Sequence, residues 1–351
     1  MATVVIRADA SASMGVGHVM RCLAVAEALR DDGHAAIFAL AESTAAVVDR
    51  LTADGFRSIA LPEPAGGPAD LYALRVLIDG EGAEAVMIDG YHFDESYRAG
   101  LKASGRRVLA WDDLASLPRL HADVVVNPAP QAVLLPYTRI APDATLLLGP
   151  AYAALRREVC TAARNPRLPL SERRDILLTF GGSDPLGLTG PCIEHLAPVL
   201  PDGVRLIAVV GGSNPRAAAV AETARRFGPC VEVHVDTPHM GTLMAGSGLS
   251  ISAGGGTTAE LAALAVPTLL VVVADNQAPA AAEAAASGWC AVVDARAGDC
   301  AAAIATQALE LWTDTERRRA MSELAAGRVD GNGAVRIART LMAGLSMPAS
   351  G

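Results

Sequence analysis

The 351-residue sequence has no uninterrupted apolar stretch of the ~18 residues that a membrane-spanning helix needs; even the run from Val266 to Ala274 stops at Asp275 and Asn276. Met1 to Ile6 leads straight into Arg7 and Asp9 with no basic start and no small-residue cleavage site, so no secretory leader is expected and a cytoplasmic location follows. The six cysteines (Cys22, Cys160, Cys192, Cys230, Cys290 and Cys300) form no CxxC pair, which argues against structural zinc and suits reduced thiols. Lys and Arg number 29 against 38 Asp and Glu, for a net charge of −9, and the basic residues are scattered. The electrostatic footprint of a nucleic-acid binder is therefore missing, and an anionic substrate would need local donors. General disorder is excluded too, because hydrophobic residues make up 51 % and charged residues only 19 %.

What is present is an alternation of short apolar runs with helical patterns. The chain opens with Thr3-Val4-Val5-Ile6-Arg7-Ala8, a glycine-containing loop to Gly17, and an apolar run of helical period through Val19, Leu23, Ala26 and Leu29. Further strands are predicted at 35–40, 85–88, 108–111 and 123–126, then a second series at 175–180, 205–210, 231–235, 249–252 and 268–273. Such alternation predicts α/β architecture, with two doubly wound parallel-sheet domains. We expect the first at 1–164, a proline-containing linker at 165–171, the second at 172–330, and a helix and tail at 331–351, with a crossing back to the first domain as one option. Ligands of such folds bind beyond the carboxyl ends of the strands, in a cleft that both sheets would face.

Four loops stand at those strand ends. In Gly15-Val16-Gly17-His18-Val19-Met20-Arg21 the glycines resemble a dinucleotide fingerprint, but Met20 stands where a third small residue is needed, and Leu40 and Ala41 stand where an acidic one is needed. A tight turn explains the glycines but not His18, placed where a helix N-terminus keeps an imidazole neutral and basic, as a general base for water requires. Ser252 to Leu261 carries Gly254-Gly255-Gly256-Thr257, whose amides can approach a diphosphate, and Glu260, one turn on, can accept from ribose hydroxyls. It lacks the Gly-Lys-Ser/Thr of a P-loop. Phe180-Gly181-Gly182-Ser183-Asp184-Pro185 is either a ligand loop or a Ser/Asp helix cap. Ala274-Asp275-Asn276-Gln277 is either a sugar-binding amide pair or a plain turn. His34, His92, His121, His195, His234 and His239 have no comparable setting. Adjacent aspartates at a strand end point apart, so Asp112-Asp113 does not call for a metal, and neither metal nor cofactor is expected.

Read together, the motifs resemble those of the nucleotide-sugar hydrolases of pseudaminic acid biosynthesis, relatives of the two-domain GT-B glycosyltransferases. The pieces that carry the resemblance are Arg7 to Ser11, Gly15 to Ala24, Asp89-Gly90-Tyr91, Asp112-Asp113-Leu114, Asn127-Pro128, Leu148 to Glu158, and the three later loops, in order from residue 7 to about 277. The resemblance implies a GT-B-like fold and hydrolysis of UDP-2,4-diacetamido-2,4,6-trideoxy-β-L-altropyranose to UDP and the free sugar, with inversion at C1. It implies that His18 activates the water, Tyr91 sits near the reacting sugar, Glu260 holds the ribose, and the amides of Gly255, Gly256 and Thr257 hold the diphosphate. Asn276 and Gln277 would lie at the diphosphate and sugar, and the backbone around Met240 at the uracil edge. Asp9, Gly15, Gly17, Arg21, Asp113, Asn127, Tyr152, Leu155, Arg156, Gly182, Ser183 and Asp184 complete the implied binding set. Met14, Val16 and Pro128-Ala129-Pro130 depart from the family pattern.

The rival readings are a GT-B glycosyltransferase using a UDP-amino-sugar, a hydrolysing 2-epimerase of UDP-N-acetylhexosamine, and a catalytically silent UDP-sugar sensor. The expected partners are the UDP-sugar and UDP alone, with no nucleic acid or membrane, in a monomer or weak homodimer.

Overall fold

The computed structural model describes residues 1–345 apart from Ala12, Ser13, Ser213 and Asp299; the expected tail beyond Leu345 lies outside the described residues. The chain divides into two compact units, Leu155–Gly331 and the rest. This corrects the expected boundary near residue 165: the helix Arg157–Arg164 and the proline-containing 165–171 segment both belong to the second unit.

In the first unit the strands are β1 (Thr3–Ala8), β2 (Ala35–Leu40), β3 (Arg57–Ala60), β4 (Ala85–Asp89), β5 (Arg107–Trp111), β6 (Val124–Asn127) and β7 (Thr145–Leu148). They form one sheet in the order β3-β2-β1-β4-β5-β6-β7, and all the pairings are parallel. Because side chains alternate across a strand, Val4 and Ile6 enter one core with Met87 and Trp111, while Val5 enters a second with Val86, Ile88 and Val108. Burial on both faces is why these strands read as continuous apolar runs. The helix Gly333–Met342 contributes Ile337, Ala338 and Leu341 to the first of these cores. Its start is pressed so closely on Ala153 that a Cβ at Gly333 would lie 2.2 Å from that carbonyl oxygen.

In the second unit β8 (Asp175–Thr179), β9 (Arg205–Val210), β10 (Val231–Val235), β11 (Ser247–Ala253), β12 (Thr268–Val272) and β13 (Cys290–Asp294) form a second parallel sheet, in the order β10-β9-β8-β11-β12-β13. Strand order reverses between β1 and β4 in the first sheet and between β8 and β11 in the second. The loops that leave these strands at their carboxyl ends therefore open at topological switch points, where α/β sheets bind ligands. His18, Tyr91, the Gly181-Gly182 loop and the Gly254-Gly255-Gly256 loop all follow these four strands.

Candidate active site

In the first unit, the chain leaves β1 at Ala8 and enters the helix Gly17–Asp31 after Gly15, whose φ of +78° is costly for any residue with a Cβ. His18 sits in the first turn of that helix, 8 % exposed, and its Nδ1 is buried with no hydrogen-bond partner among the described residues. The Tyr91 ring stands edge-on to it, with centroids 4.9 Å apart and planes at 80°. The Tyr91 hydroxyl donates to Asp113 Oδ2 at 2.9 Å. Arg21, one turn beyond His18, binds two carboxylates in fork geometry, Asp89 (2.6 and 2.7 Å) and Asp113 (2.9 and 3.0 Å), and lies 4.6 Å over the Trp111 ring. The ends of β4 and β5 and the first helix are thereby locked together. Burial would lower the Arg21 pKa, but Asp113 and Asp89 outweigh it and hold it well above its ordinary value. Burial would likewise raise the Asp113 carboxyl; Arg21 first, then the Tyr91 hydroxyl and His18, pull it below the usual carboxylate range.

Three residues expected at the ligand are engaged within the fold of this unit. Asp9 is fully buried, pairs with Arg7 Nη1 at 2.6 Å and accepts from the amides of Ala41 and Glu42 at 2.8 and 3.0 Å, so it fixes the β1 and β2 ends to each other. Asn127 is also fully buried; its Nδ2 donates to the Tyr137 hydroxyl and its Oδ1 accepts from the Ala129 amide, both at 2.9 Å. Tyr152 lies half-buried in the turn Pro150–Tyr152 and packs on the core beneath the first helix.

His92, without a telling setting in the sequence, places its Nε2 3.0 Å from Asp9 Oδ2. A Cβ at Gly90 would come within 2.8 Å of His92 Cε1, so a glycine is required for the loop to bring Tyr91 and His92 out of β4 in this way. The signal available in the sequence was position alone, two residues beyond the quoted Asp89-Gly90. Arg98 had no such signal. It is 3 % exposed, donates from Nε to the Phe93 carbonyl at 3.1 Å, and with Trp111, Asp112 and Leu117 lines a cavity of about 40 Å³ that Tyr91 borders.

In the second unit, the helix Gly256–Ala263 starts directly after β11 and Gly254-Gly255, with the Thr258 hydroxyl accepting from the Gly255 amide at 3.1 Å. The first-turn amides of Gly256 and Thr257 have no acceptor within a helix, and the dipole there favours negative charge. Glu260 is 6 % exposed and gripped in fork fashion by Arg156, with Nε 2.6 Å from Oε1. Burial would lower the Arg156 pKa, but Glu260 and then Glu158 raise it further. A carboxylate has about four lone-pair sites, so Glu260 retains acceptor capacity beside this pair. Leu155 is buried at the start of the unit. The Glu158 carboxylate accepts from the Gly241 amide at 3.1 Å, which fixes the start of the helix Met240–Gly246, where Met240 is buried.

Gly182 and Ser183 are half-buried in the loop after β8, and a Cβ at Gly211 would lie 2.3 Å from the Gly182 carbonyl oxygen. Asp184 fits the cap alternative: at φ +46° and 2 % exposed, its carboxylate accepts from the amides of Leu188 and Thr189 (2.9 and 3.0 Å) and the Thr189 hydroxyl (2.7 Å). In the turn Asp275–Gln277, Gln277 Oε1 accepts from the Val273 amide at 3.0 Å, which leaves its amide nitrogen as the end that can donate to a ligand, beside exposed Asn276. Among the described residues there is no cluster of His, Cys, Asp and Glu that could hold a metal, and no helix is long and apolar enough to cross a membrane.

With this geometry in place, the chain can be set beside known proteins. No family model matches it. It is 24 % identical over 269 residues to an uncharacterised protein of Methanocaldococcus jannaschii, covering 75 % of this chain but 54 % of that protein, so the match spans about half the relative's length. It is 24 % identical over 243 residues to the UDP-2,4-diacetamido-2,4,6-trideoxy-β-L-altropyranose hydrolase of Campylobacter jejuni, covering 69 % of this chain and 81 % of the hydrolase. Among solved structures, the MnaA–UDP complex of S. aureus superposes with a TM-score of 0.67 at 14 % identity, over 98 % of this chain and 96 % of that one. The two parallel-sheet units and these likenesses define a GT-B fold.

Proposed function

We propose that the protein is a UDP-sugar hydrolase that cleaves the C1–oxygen bond of a UDP-linked 2,4-diacetamido-2,4,6-trideoxy sugar with inversion, releasing UDP and the free sugar. The observation that carries this reading is His18: an imidazole in the first turn of a helix at a switch point, with one nitrogen uncommitted to any described protein group and its ring braced by Tyr91. A base for water must have a lone pair that the protein has not already used. As water attacks C1, His18 takes its proton, the new C1–O bond forms, and the electron pair of the breaking bond leaves on the UDP diphosphate.

The second unit would hold the nucleotide. The Gly256 and Thr257 amides suit the diphosphate and would stabilise the charge that grows on it as the bond breaks. Glu260, preset by Arg156, suits the ribose hydroxyls. UDP is a good leaving group, so one base and diphosphate stabilisation suffice without a strong general acid. The similarity to the Campylobacter hydrolase supports this substrate class over others.

The test is incubation with UDP-2,4-diacetamido-2,4,6-trideoxy-β-L-altropyranose in ¹⁸O water without acceptor, read by mass spectrometry. Label in the free sugar and none in UDP is the expected result. Label in UDP, or an intact substrate that turns over only when an acceptor is added, would overturn it. Deuterium at C2 from heavy water would instead indicate an epimerase.

A further inference from the structure

The cavity behind Tyr91 has a chemistry that the reaction above does not use. Arg98 is almost wholly buried in its lining, and its Nη1 has no hydrogen-bond partner among the described residues. The carboxylates around it have other partners: Asp89 and Asp113 are gripped by Arg21, and Asp112 Oδ2 accepts from the Tyr137 hydroxyl (2.8 Å) and the Ala115 amide (2.7 Å). The buried Arg98 Nη1 is thus a donor that an acceptor on an entering ligand group would satisfy. Two guanidiniums (Arg21, Arg98) against three carboxylates (Asp89, Asp112, Asp113) leave the lining net negative, which disfavours an anion. An ammonium would meet Arg98 head-on. Phe93, Trp111, Leu114 and Leu117 add apolar walls. A volume of about 40 Å³, at ~10–15 Å³ per water-sized group, admits about three such groups, the heavy-atom count of an acetyl group.

We infer that this cavity is an acyl-group subsite, in which Arg98 donates to the carbonyl oxygen of a sugar N-acyl substituent and the apolar walls take its methyl. It rests on the reading above, since it supposes that the sugar lies against Tyr91. Arg98 would then set specificity for acylated over free amino sugars.

The test is calorimetry in a His18→Asn background with three probes: UDP, the UDP-diacetamido sugar, and the same UDP-sugar with one acetamido group replaced by a free amine. The acylated probe should bind at least about tenfold tighter than the free amine. Arg98→Met should abolish that ratio while leaving UDP unchanged. Ser116→Phe, on an exposed cavity-lining position, should abolish it by filling the space, and decides the matter should Arg98→Met fail to fold. A ratio near one in the parent protein, or a ratio that survives Ser116→Phe, overturns the subsite. Should the ratio behave as expected while the enzyme with His18 intact releases no sugar, the reaction above fails and the subsite stands; no affinity for either sugar overturns both.

Discussion

His92 Nε2 lies 3.0 Å from the Asp9 carboxylate, which ties the loop that presents Tyr91 to the end of β1. Asp9 is itself held by Arg7 and two amides, so the tie is anchored in the sheet. His92 is a positioning residue on this geometry. His92→Leu should lower kcat about tenfold, the ~1.4 kcal/mol of a lost orienting contact, with little change in UDP affinity. His92→Gln, which keeps a donor, should recover part of the loss; equal loss in both variants would mean that the loop does not depend on the Asp9 contact.

Removing the proposed base should act differently. His18→Asn is expected to keep UDP affinity in calorimetry while turnover falls by about 10² or more, the usual cost of losing a general base. Unchanged turnover would take His18 out of the mechanism.

The contrast between these two histidines shows how far the sequence could be read. Ten of the thirteen strands among the described residues stood out as apolar runs, and the three that did not, β3, β7 and β13, are all sheet edges. An edge strand is half-covered and short, as the exposed Arg57 and Ala60 of β3 show, so it lacks the continuous run that burial on both faces imposes. His18 was legible because a glycine turn placed it at a strand end. His92 and Arg98 were not, since their partners lie 83 residues away at Asp9 or in a cavity built from three segments. The expectation of ligand contacts at Asp9, Asn127 and Asp184 has the opposite limit: a motif names a residue type but does not reveal which of its polar atoms find partners within the fold.

Glu260→Ala should weaken UDP binding by about 1.5–3 kcal/mol, the range for hydrogen bonds to a charged group. The same change leaves Arg156 without its fork partner, so Arg156→Met is needed beside it. A double-mutant cycle should give strong coupling between the two, because they share one contact. Calorimetry with UDP checks this, and unchanged affinity in Glu260→Ala would move the nucleotide elsewhere.

Acid should act on the first unit through Asp9. Burial alone would raise its carboxyl, but the contacts to His92, Arg7 and the Glu42 amide outweigh that and hold it far below the usual carboxylate range. A depressed folded pKa adds stability that is present above the unfolded value, near ~3.9, and is lost as pH falls through the folded one. Asp9→Asn should cost about 1.5–3 kcal/mol at neutral pH, since it removes one of the two carboxylates on the buried Arg7 while Asp70 stays bound at 2.8 Å, and should flatten the loss of stability in acid. Denaturant melts between about pH 7 and pH 3 read both effects; parallel curves for the two proteins would show that Asp9 titrates alike folded and unfolded.

Two glycines of the second unit should respond in opposite directions to the same added methyl. Gly190, inside the helix Thr189–Leu196, has nothing within 4 Å of a Cβ, so Gly190→Ala should stabilise by about 0.5–1 kcal/mol through lost chain freedom in the unfolded state. Gly211 follows β9, where a Cβ would fall 2.3 Å from the Gly182 oxygen and 2.4 Å from its Cα. Both opposing atoms are backbone, so the clash cannot be relieved by rotating a side chain; the loop after β8 must shift. Gly211→Ala should therefore destabilise by about 1–3 kcal/mol, as overpacking does, and also weaken UDP binding if Gly182 and Ser183 touch the nucleotide. Thermal melts with and without UDP separate the two effects: a lower melting temperature with an unchanged UDP-induced shift would leave Gly211 as a packing residue and remove the Gly182 loop from the nucleotide site.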